Sequence, residues 1–576
     1  MKILGLNLGH DSSSALFING DVVAACEQER YSKLKHTRQF PKEAINDCLK
    51  IGKIKINDID IISIGFLPKK HLDEFYLKPA IEDPKKFGFI FDGIDRIKNL
   101  VNLEKIIRDK LGFKNKIEFN NHHLCHLAST FYPSGFDKSL IVSYDGLGEY
   151  ETGLIGIGIK NKIKIIYDMN VFPDSLGLIY SAVTYFLGWK PFYDEGIIMG
   201  LAPYGDPNLK IPKSRKTYIQ MFREIIQYKN GLAYKINPEW ITYNYERNTW
   251  LSNKFTKIFG AKRNYDSKIN NHHKNIAAAL QARVEEIVIQ QLKYLKKKYK
   301  INKLCIAGGV GLNCSLNGKI HSSKLFKEIF IQPASGDAGL SYGAGLVTMM
   351  KFKKNNTKLK RRNFYLGSRF SNKEIKKMLL KYKNKIDYTL EKNISKKSSE
   401  IISNGNILGW FQGAAEFGPR ALGNRSILSK PFPSKMKDHM NKNVKFRENF
   451  RPFAPSVLSN FAQDFFELEQ ESQHMLIATK VKSNKKKYIP ATVHIDNSCR
   501  VQTVHKETNK KFFDLINNFY KITNVPVVLN TSFNVKGQPI VNDPEDAILC
   551  FLKYNIDYLA IGDFIVRKLK KDNKNN

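Results

Sequence analysis

MKILGLNLGHDSSSALFINGDVVAA (residues 1–25) and IVSYDGLGEYETGLIGIGI (residues 141–159) decide the fold, because both have the same layout. In the first, residues 2–8 alternate, run into Gly9-His10-Asp11-Ser12-Ser13, and give way to apolar runs at Ala15–Phe17 and Val22–Ala25. Period-two alternation closing on a Gly/Asp/Ser cluster is the pattern of a strand ending in a tight turn, here with two more strands of a meander behind it. In the second, Ile141–Tyr144 closes on Asp145-Gly-Leu-Gly148, and apolar runs return at Gly153–Ile159 and Ile163–Tyr167. A layout used twice predicts an internal duplication. Leu304–Ala307, closing on Gly308-Gly309-Val310-Gly311, predicts another buried strand, and Ile276–Lys298 before it has helical spacing. Together these predict an α/β domain ending near residue 350.

Outward from that core, the polar, Lys-rich stretch Lys351–Arg362 reads as a solvated connection. It divides the chain into residues 1–355 and 363–570, followed by a basic, Asn-containing tail. The second part reads as α+β: helices at Asn372–Lys383 and Ser395–Ser403, strands at Ile407–Phe411, Ala491–His494 and Val527–Leu529. A chain of 576 residues, 42% hydrophobic, is long enough for two or three cores. Lys and Arg outnumber Asp and Glu by 93 to 54, a net charge of +39. The excess is dispersed as Lys among many Asn and Ile, which reads as solvated surface, so no nucleic-acid partner is expected. The seven cysteines include no C-x-x-C pair, which argues against a disulfide framework or a zinc ribbon and for a reducing cytoplasm. No signal-peptide core and no run approaching about 18 apolar residues is present, so neither secretion nor membrane insertion is expected.

His122 and His126 lie four apart in NNHHLCHLASTFYP, where Asn121 can cap a helix expected to end before Pro133. That spacing puts both imidazoles on one helical face, as a shared metal ion requires, while His123 points elsewhere. Spacing alone also fits ordinary core or surface histidines. Asp145 and Asp337, each in a glycine-flanked turn, tip the reading toward a His2Asp2 set suited to Fe(II), Mn(II) or Zn(II). Cys125 is an outside candidate bordering the same face. Three glycine turns accompany the set, and their backbone amides are candidates for a nucleotide site: Gly9 and Ser12, Gly146, and Gly308, Gly309 and Asn313. His10, beside Asp11, is the titratable group among them, and as a neutral imidazole it could take a proton from an attacking hydroxyl.

In the second part, QGAAEFGPRALGNRSIL, NKNVKFRENFRPFAP, HIDNSCRVQTV and LNTSFNVKGQPIV place fixed cations beside turn formers. Arg420, Arg425, Lys445, Arg447, Arg451 and Arg500, with Ser532, Asn534 and Lys536, make a candidate phosphate site, since guanidinium forks orient phosphate through two-point contacts.

These stretches, with EQERYSKLKH, SLGLIYSAVTYFLGW, MGLAPYG and CIAGGVGLNCSLNGK, closely resemble the O-carbamoyltransferases of the nodulation and antibiotic type, the NodU/CmcH family, over nearly the whole chain. The resemblance implies a duplicated actin/hexokinase-like N-terminal domain, similar to the universal tRNA threonylcarbamoyl-transfer protein, and a YrdC-like α+β C-terminal domain. It implies metal ligands at His122, His126, Asp145 and Asp337, with Fe(II) the expected ion, and maps the K-x-R and S-x-N elements of the second domain onto Lys445, Arg447, Ser532 and Asn534. It further implies carbamoyl phosphate, Mg-ATP and a small-molecule hydroxyl acceptor as partners, and a homodimer. One departure is Ile197 in EGIIMGLAPYG, where many relatives are expected to carry lysine. The competing readings are a sugar kinase or ATPase on the same duplicated fold, a tRNA-modifying enzyme, and a noncatalytic nucleotide-dependent scaffold.

Overall fold

The computed structural model describes residues 1–168, 170–352 and 363–569. Most of the connection read at Lys351–Arg362, and the tail beyond Leu569, lie outside the described residues. The chain divides into two compact units: Met1–Ala25 with Arg38–Arg362, and Cys26–Thr37 with the residues from Asn363 onward. The second unit is therefore not a continuous segment. Cys26–Thr37 packs with it through Arg30, which donates from Nε to Glu27 at 2.7 Å and from Nη2 to the Gly418 carbonyl at 2.8 Å.

The first unit holds two five-stranded sheets of one topology. In the first, β1 (Lys2–Asn7), β2 (Ser13–Ile18) and β3 (Asp21–Glu27) form the meander, and β4 (Ile61–Ile64) and β5 (Lys116–Phe119) add in parallel on the other side of β1, giving the order β3-β2-β1-β4-β5. In the second, β6 (Lys138–Tyr144), β7 (Gly153–Ile159) and β8 (Lys162–Asp168) form the meander, and β9 (Lys303–Ala307) and β10 (Glu328–Ile331) add in parallel beside β6, giving β8-β7-β6-β9-β10. The duplication expected from the two strand-turn layouts is thus present strand for strand.

Each half places one helix after its fifth strand: His122–Ser134 after β5 and Gly339–Phe352 after β10. These two helices pack on each other, and the approach is closest at Gly343, where an added Cβ would lie 2.0 Å from the Cys125 carbonyl oxygen. Cys125 therefore faces the partner helix, against Leu340 and Ala344, and is not a fifth member of the histidine face. The helix also continues through Pro133, contrary to the expected stop. The bond that a proline nitrogen cannot give to the Ser129 carbonyl is replaced by one from Gln332 Nε2, so the last turn survives.

The second unit is built on an eight-stranded mixed sheet in the spatial order Ile386–Leu390, Phe564–Lys568, Tyr558–Ile561, Leu408–Phe411, Arg425–Ser429, Val527–Ser532, Ala454–Leu458 and Gln502–Val504. The strand expected at Ala491–His494 is absent: Pro490–Thr492 forms a 3-10 turn, with Pro490 at its first position and Thr492 Oγ1 donating to the Ile489 carbonyl at 2.9 Å. The strands of this region lie further on, at Ser498–Arg500 and Gln502–Val504.

Candidate metal centre and anion site

Three chain segments converge in the first unit, two from one half and one from the other's helix start: the first turns of His122–Ser134, the end of β6, and the residues leading into Gly339–Phe352. Asn121 caps the first helix, its side chain accepting from the Leu124 amide at 2.9 Å. His122 and His126 then lie one above the other, with Nε2 atoms 3.1 Å apart. Asp145 Oδ2 is 2.9 Å from His122 Nε2 and 3.3 Å from His126 Nε2, and Asp337 Oδ1 is 3.8 Å from each. One donor atom from each of the four lies within 4.8 Å of every other. Ligands bound at about 2.0–2.2 Å are separated by roughly 3–3.5 Å along the edges of a coordination shell, so this donor set fits a divalent ion. His126 and His122 are 0% and 3% exposed and Asp145 is 7% exposed, while Asp337 remains partly open.

Supporting contacts hold three of the four donor residues, whereas His126 Nδ1 is buried with no hydrogen-bond partner among the described residues. Gly309 donates its amide to Asp145 Oδ1 at 2.9 Å, and Gly308, at φ +85°, could carry no side chain, because a Cβ would meet the Tyr144 carbonyl at 2.2 Å. Asn7 Nδ2 donates to the carbonyls of His10, Asp11 and Asp337, tying the first glycine turn to the Asp337 turn. Glu149 accepts from the His122 amide and from the Leu67 amide, both at 2.9 Å. Asn7 and Glu149 were not singled out by sequence. Their signal was only that they adjoin the two Gly/Asp turns. His123 is turned aside, Nδ1 lying 3.0 Å from Ser143 Oγ and Nε2 2.9 Å from the Glu151 carbonyl, and burial pushes it down to about 3.

The nucleotide-site expectations divide. Gly309's amide is occupied by Asp145, and Gly9's amide donates to Asn7 Oδ1 at 3.2 Å, so neither is open to a phosphate. Asn313 pairs its amide with Gln281 in both directions and caps the helix Cys314–Ser322. These residues shape the centre through its backbone. Ser12 is buried, its Oγ without a hydrogen-bond partner among the described residues, and Gly177 packs on the Gly146 nitrogen and the Asp145 carbonyl so closely that an added Cβ would lie 2.7–2.8 Å from them. His10 Nδ1 sits 3.3 Å from Asp11 Oδ2. Burial alone would lower the imidazole, but the Asp11 bond and charge outweigh it and hold it above its ordinary value, so Asp11 favours the protonated form over the neutral one. Ile197 is 3% exposed within Glu195–Leu201, an apolar setting in place of a polar contact.

His126 gives a pH test. Burial would lower it, but the bonds and charges of Asp145 and Asp337 prevail and raise it to about 9 from 6.5. A histidine raised on folding stabilises in full below its unfolded value and loses that contribution as pH rises through the folded one. The melting temperature of chelator-treated protein should therefore fall between pH 6.5 and about 9. With saturating metal, which displaces the proton, the fall should disappear. A chelated protein whose melting temperature is flat across that window contradicts the assignment.

In the second unit, the Lys445 ammonium is buried and donates to Ser532 O (2.9 Å), Ser532 Oγ (3.3 Å), Asn534 O (2.7 Å) and Asn534 Oδ1 (2.7 Å). Burial, then the charges of Arg447 and Arg451, push it well below the usual lysine range. Arg447 donates from Nε to Asn441 Oδ1 at 2.7 Å and from Nη2 to the Pro452 carbonyl at 3.2 Å, over the Phe453 ring at 4.6 Å. Burial lowers it too, with further contributions from Arg451 and Arg500. Lys445, Arg447, Arg451, Arg500, Ser532 and Asn534 are thus one cluster with excess positive charge, offset by Glu448, which lies near Arg451 (3.7 Å) and Lys536 (3.2 Å). Arg425 is not part of it. Fully buried over Phe411 at 3.7 Å, its guanidinium donates to the carbonyls of Gln412, Gly413, Asn424 and Ser368, so its terminal nitrogens are taken up by backbone carbonyls at the start of a central strand. Arg420 is half-buried, ahead of the strand Arg425–Ser429.

The comparisons with known proteins agree along the chain. A family model described as carbamoyltransferase N-terminus matches residues 2–346, and one described as carbamoyltransferase C-terminus matches 399–568. The nodulation protein NolNO of Sinorhizobium fredii is 34% identical over 97% of this chain and 79% of its own, and the protein sll1178 of Synechocystis is 36% identical over 98% and 96%. Full-length HypF, solved in a phosphate- and nucleotide-bound form, covers 62% of this chain and 56% of its own at 14% identity, with a TM-score of 0.31.

Proposed function

This chain belongs to the carbamoyltransferase family and is a transferase enzyme, and from that premise we propose that it is an ATP-dependent O-carbamoyltransferase working through carbamoyl-adenylate. The observation that carries the reading is the separation of two residue sets within one chain: four converging donors able to hold a metal ion in the first unit and a cation cluster around Lys445 and Arg447 in the second.

In the second unit, which we read as YrdC-like, carbamoyl phosphate is hydrolysed to carbamate and phosphate. A carbamate oxygen then attacks the α-phosphorus of Mg-ATP, and pyrophosphate leaves. Lys445, seated on Ser532 and Asn534, supplies a fixed point charge, and Arg447, held by Asn441 and Phe453, supplies a rigid fork for the phosphate oxygens. In the first unit, which we read as actin/hexokinase-like, His122, His126, Asp145 and Asp337 would hold a divalent ion, Fe(II) or in its place Mn(II) or Zn(II), which supplies Lewis-acid polarisation of the carbamoyl carbonyl. The acceptor hydroxyl oxygen attacks that carbon, the bond to the adenylate oxygen breaks, and AMP departs. The hydroxyl proton passes to the His10–Asp11 pair, whose raised imidazole makes transfer faster as pH rises through its titration.

Purified protein given ATP and carbamoyl phosphate without acceptor is expected to release pyrophosphate and AMP-containing product. Formation of ADP instead would overturn the adenylation scheme and favour a kinase-type reaction.

A further inference from the structure

Asp145 opens the loop that joins β6 to β7, and this loop is closed on itself: the Asp145 amide donates to the Thr152 carbonyl at 3.1 Å and the Gly148 amide to the Glu151 carbonyl at 2.9 Å. The loop lies directly on the start of the helix His122–Ser134. At Gly148 an added Cβ would come 2.8 Å from His123 Nε2 and 3.2 Å from His122 Cδ2, so a glycine is what lets the two elements approach this far. Across this contact the donors they carry, Asp145 Oδ2 and His122 Nε2, stand 2.9 Å apart.

Glu149 bonds the loop to the helix at this contact. Its side chain is buried; Oε1 accepts from the His122 and Leu67 amides, both at 2.9 Å, and Oε2 accepts from Asn121 Nδ2 at 3.0 Å. The His122 amide is the first of its helix, one of the four N–H groups for which a helix has no partner of its own, and a carboxylate there is also favoured by the helix dipole. Asn121 divides its side chain between the two elements: Oδ1 caps the Leu124 amide at 2.9 Å while Nδ2 serves Glu149. One carboxylate therefore ties together the helix cap, the backbone of the first histidine and the segment entering the helix Pro68–His71. The backbone of Glu149 is held as well, by the buried His71, whose Nδ1 lies 2.5 Å from its carbonyl. A neutral amide side chain could accept from the two backbone N–H groups, but only a carboxylate offers acceptors on both oxygens and so engages Asn121 too.

We propose that Glu149 is a positioning residue of the metal centre: by clamping the loop that carries Asp145 onto the helix that carries His122 and His126, it fixes the spacing of the donors before an ion arrives, without itself touching ion or substrate. This rests on the reading of His122, His126, Asp145 and Asp337 as metal ligands. Partners that orient a ligand from outside the coordination shell change metal affinity by about 10–100-fold when they are removed.

Titration of the chelator-treated full chain with Co(II), read by its visible d–d absorption, tests this beside the melting temperature of the metal-free protein. In E149Q the amide oxygen still serves the His122 and Leu67 amides, but the new NH2 group faces that of Asn121, donor against donor. Co(II) affinity is expected to fall about 10–100-fold. E149Q/N121D inverts that hydrogen bond, the new amide donating to the new carboxylate, whose other oxygen keeps the cap on the Leu124 amide. The double variant should return affinity to within about threefold of native, the non-additivity expected of two groups in direct contact. A side chain that only stabilised the fold would move the metal-free melting temperature and leave the affinity of the folded protein unchanged. E149Q with native affinity overturns the proposal, and so does a loss that the double variant leaves in place. Where E149Q melts too low to titrate, the double variant decides alone: native affinity upholds the proposal and a loss of about tenfold or more overturns it. A native chain that takes up no Co(II) overturns the ligand reading and this proposal together, whereas an insensitive E149Q beside a metal-binding native chain overturns this proposal alone.

Discussion

Replacing Asp337 with alanine is expected to lower carbamoyl transfer by about 10³-fold or more and to leave pyrophosphate release within about threefold of the native rate. Asp337 is the one donor of the four that is partly exposed, and its carboxylate sits 3.8 Å from both imidazoles. Its link to the first glycine turn runs through its backbone carbonyl, which accepts from Asn7 Nδ2 at 3.0 Å and survives the substitution. Asp145 would be a poorer probe, because Gly309's amide depends on it and its loss would unpair a part-buried donor. The variant should therefore fold, bind divalent metal more weakly by equilibrium dialysis, and form adenylate from carbamoyl phosphate and ATP. Equal loss of pyrophosphate release and transfer would contradict the division of labour between the two units.

The converse substitution, Arg447→Gln, is expected to reduce pyrophosphate release by roughly 10²–10³-fold, the scale of removing one charge-stabilising donor from a transition state. Arg447 is pinned by Asn441 and Pro452 and stacked on Phe453, so the charge it presents is already ordered before any substrate arrives. Gln keeps a donor for Asn441 and removes the fork. Metal binding in the first unit should be unchanged in dialysis, and transfer from separately supplied carbamoyl-adenylate should stay near native. A variant that loses both activities together would place Arg447 in maintaining the fold.

How much of this was legible in the sequence depends on range. Strand-turn layouts repeat locally, so the duplication could be read from residues 1–25 and 141–167, and the two topologies match. The i, i+4 pair His122/His126 follows from helical periodicity alone. Side chains whose partners lie far along the chain could not be read. Arg425 carries the same charge as Arg447 and stands in as suggestive a motif, yet it ends over Phe411 among backbone carbonyls. The Gly308–Gly309 turn looks like a phosphate cradle, but its amide is oriented onto Asp145. Pro133 reads as a helix stop until Gln332, about 200 residues later, takes over the orphaned carbonyl.

By itself the sequence determined the periodic features: the meanders, the helix bearing two histidines, the K-x-R and S-x-N pairs, and the family those motifs resemble. These depend on hydrophobic spacing and on residue types at short separations, which the chain carries without folding. Only the tertiary structure decided which donors share a centre, which arginine is surrounded by backbone carbonyls and which gather beside Lys445. Packing decides those matters, because a charge buried in the fold takes its role from whichever groups long-range contacts bring beside it.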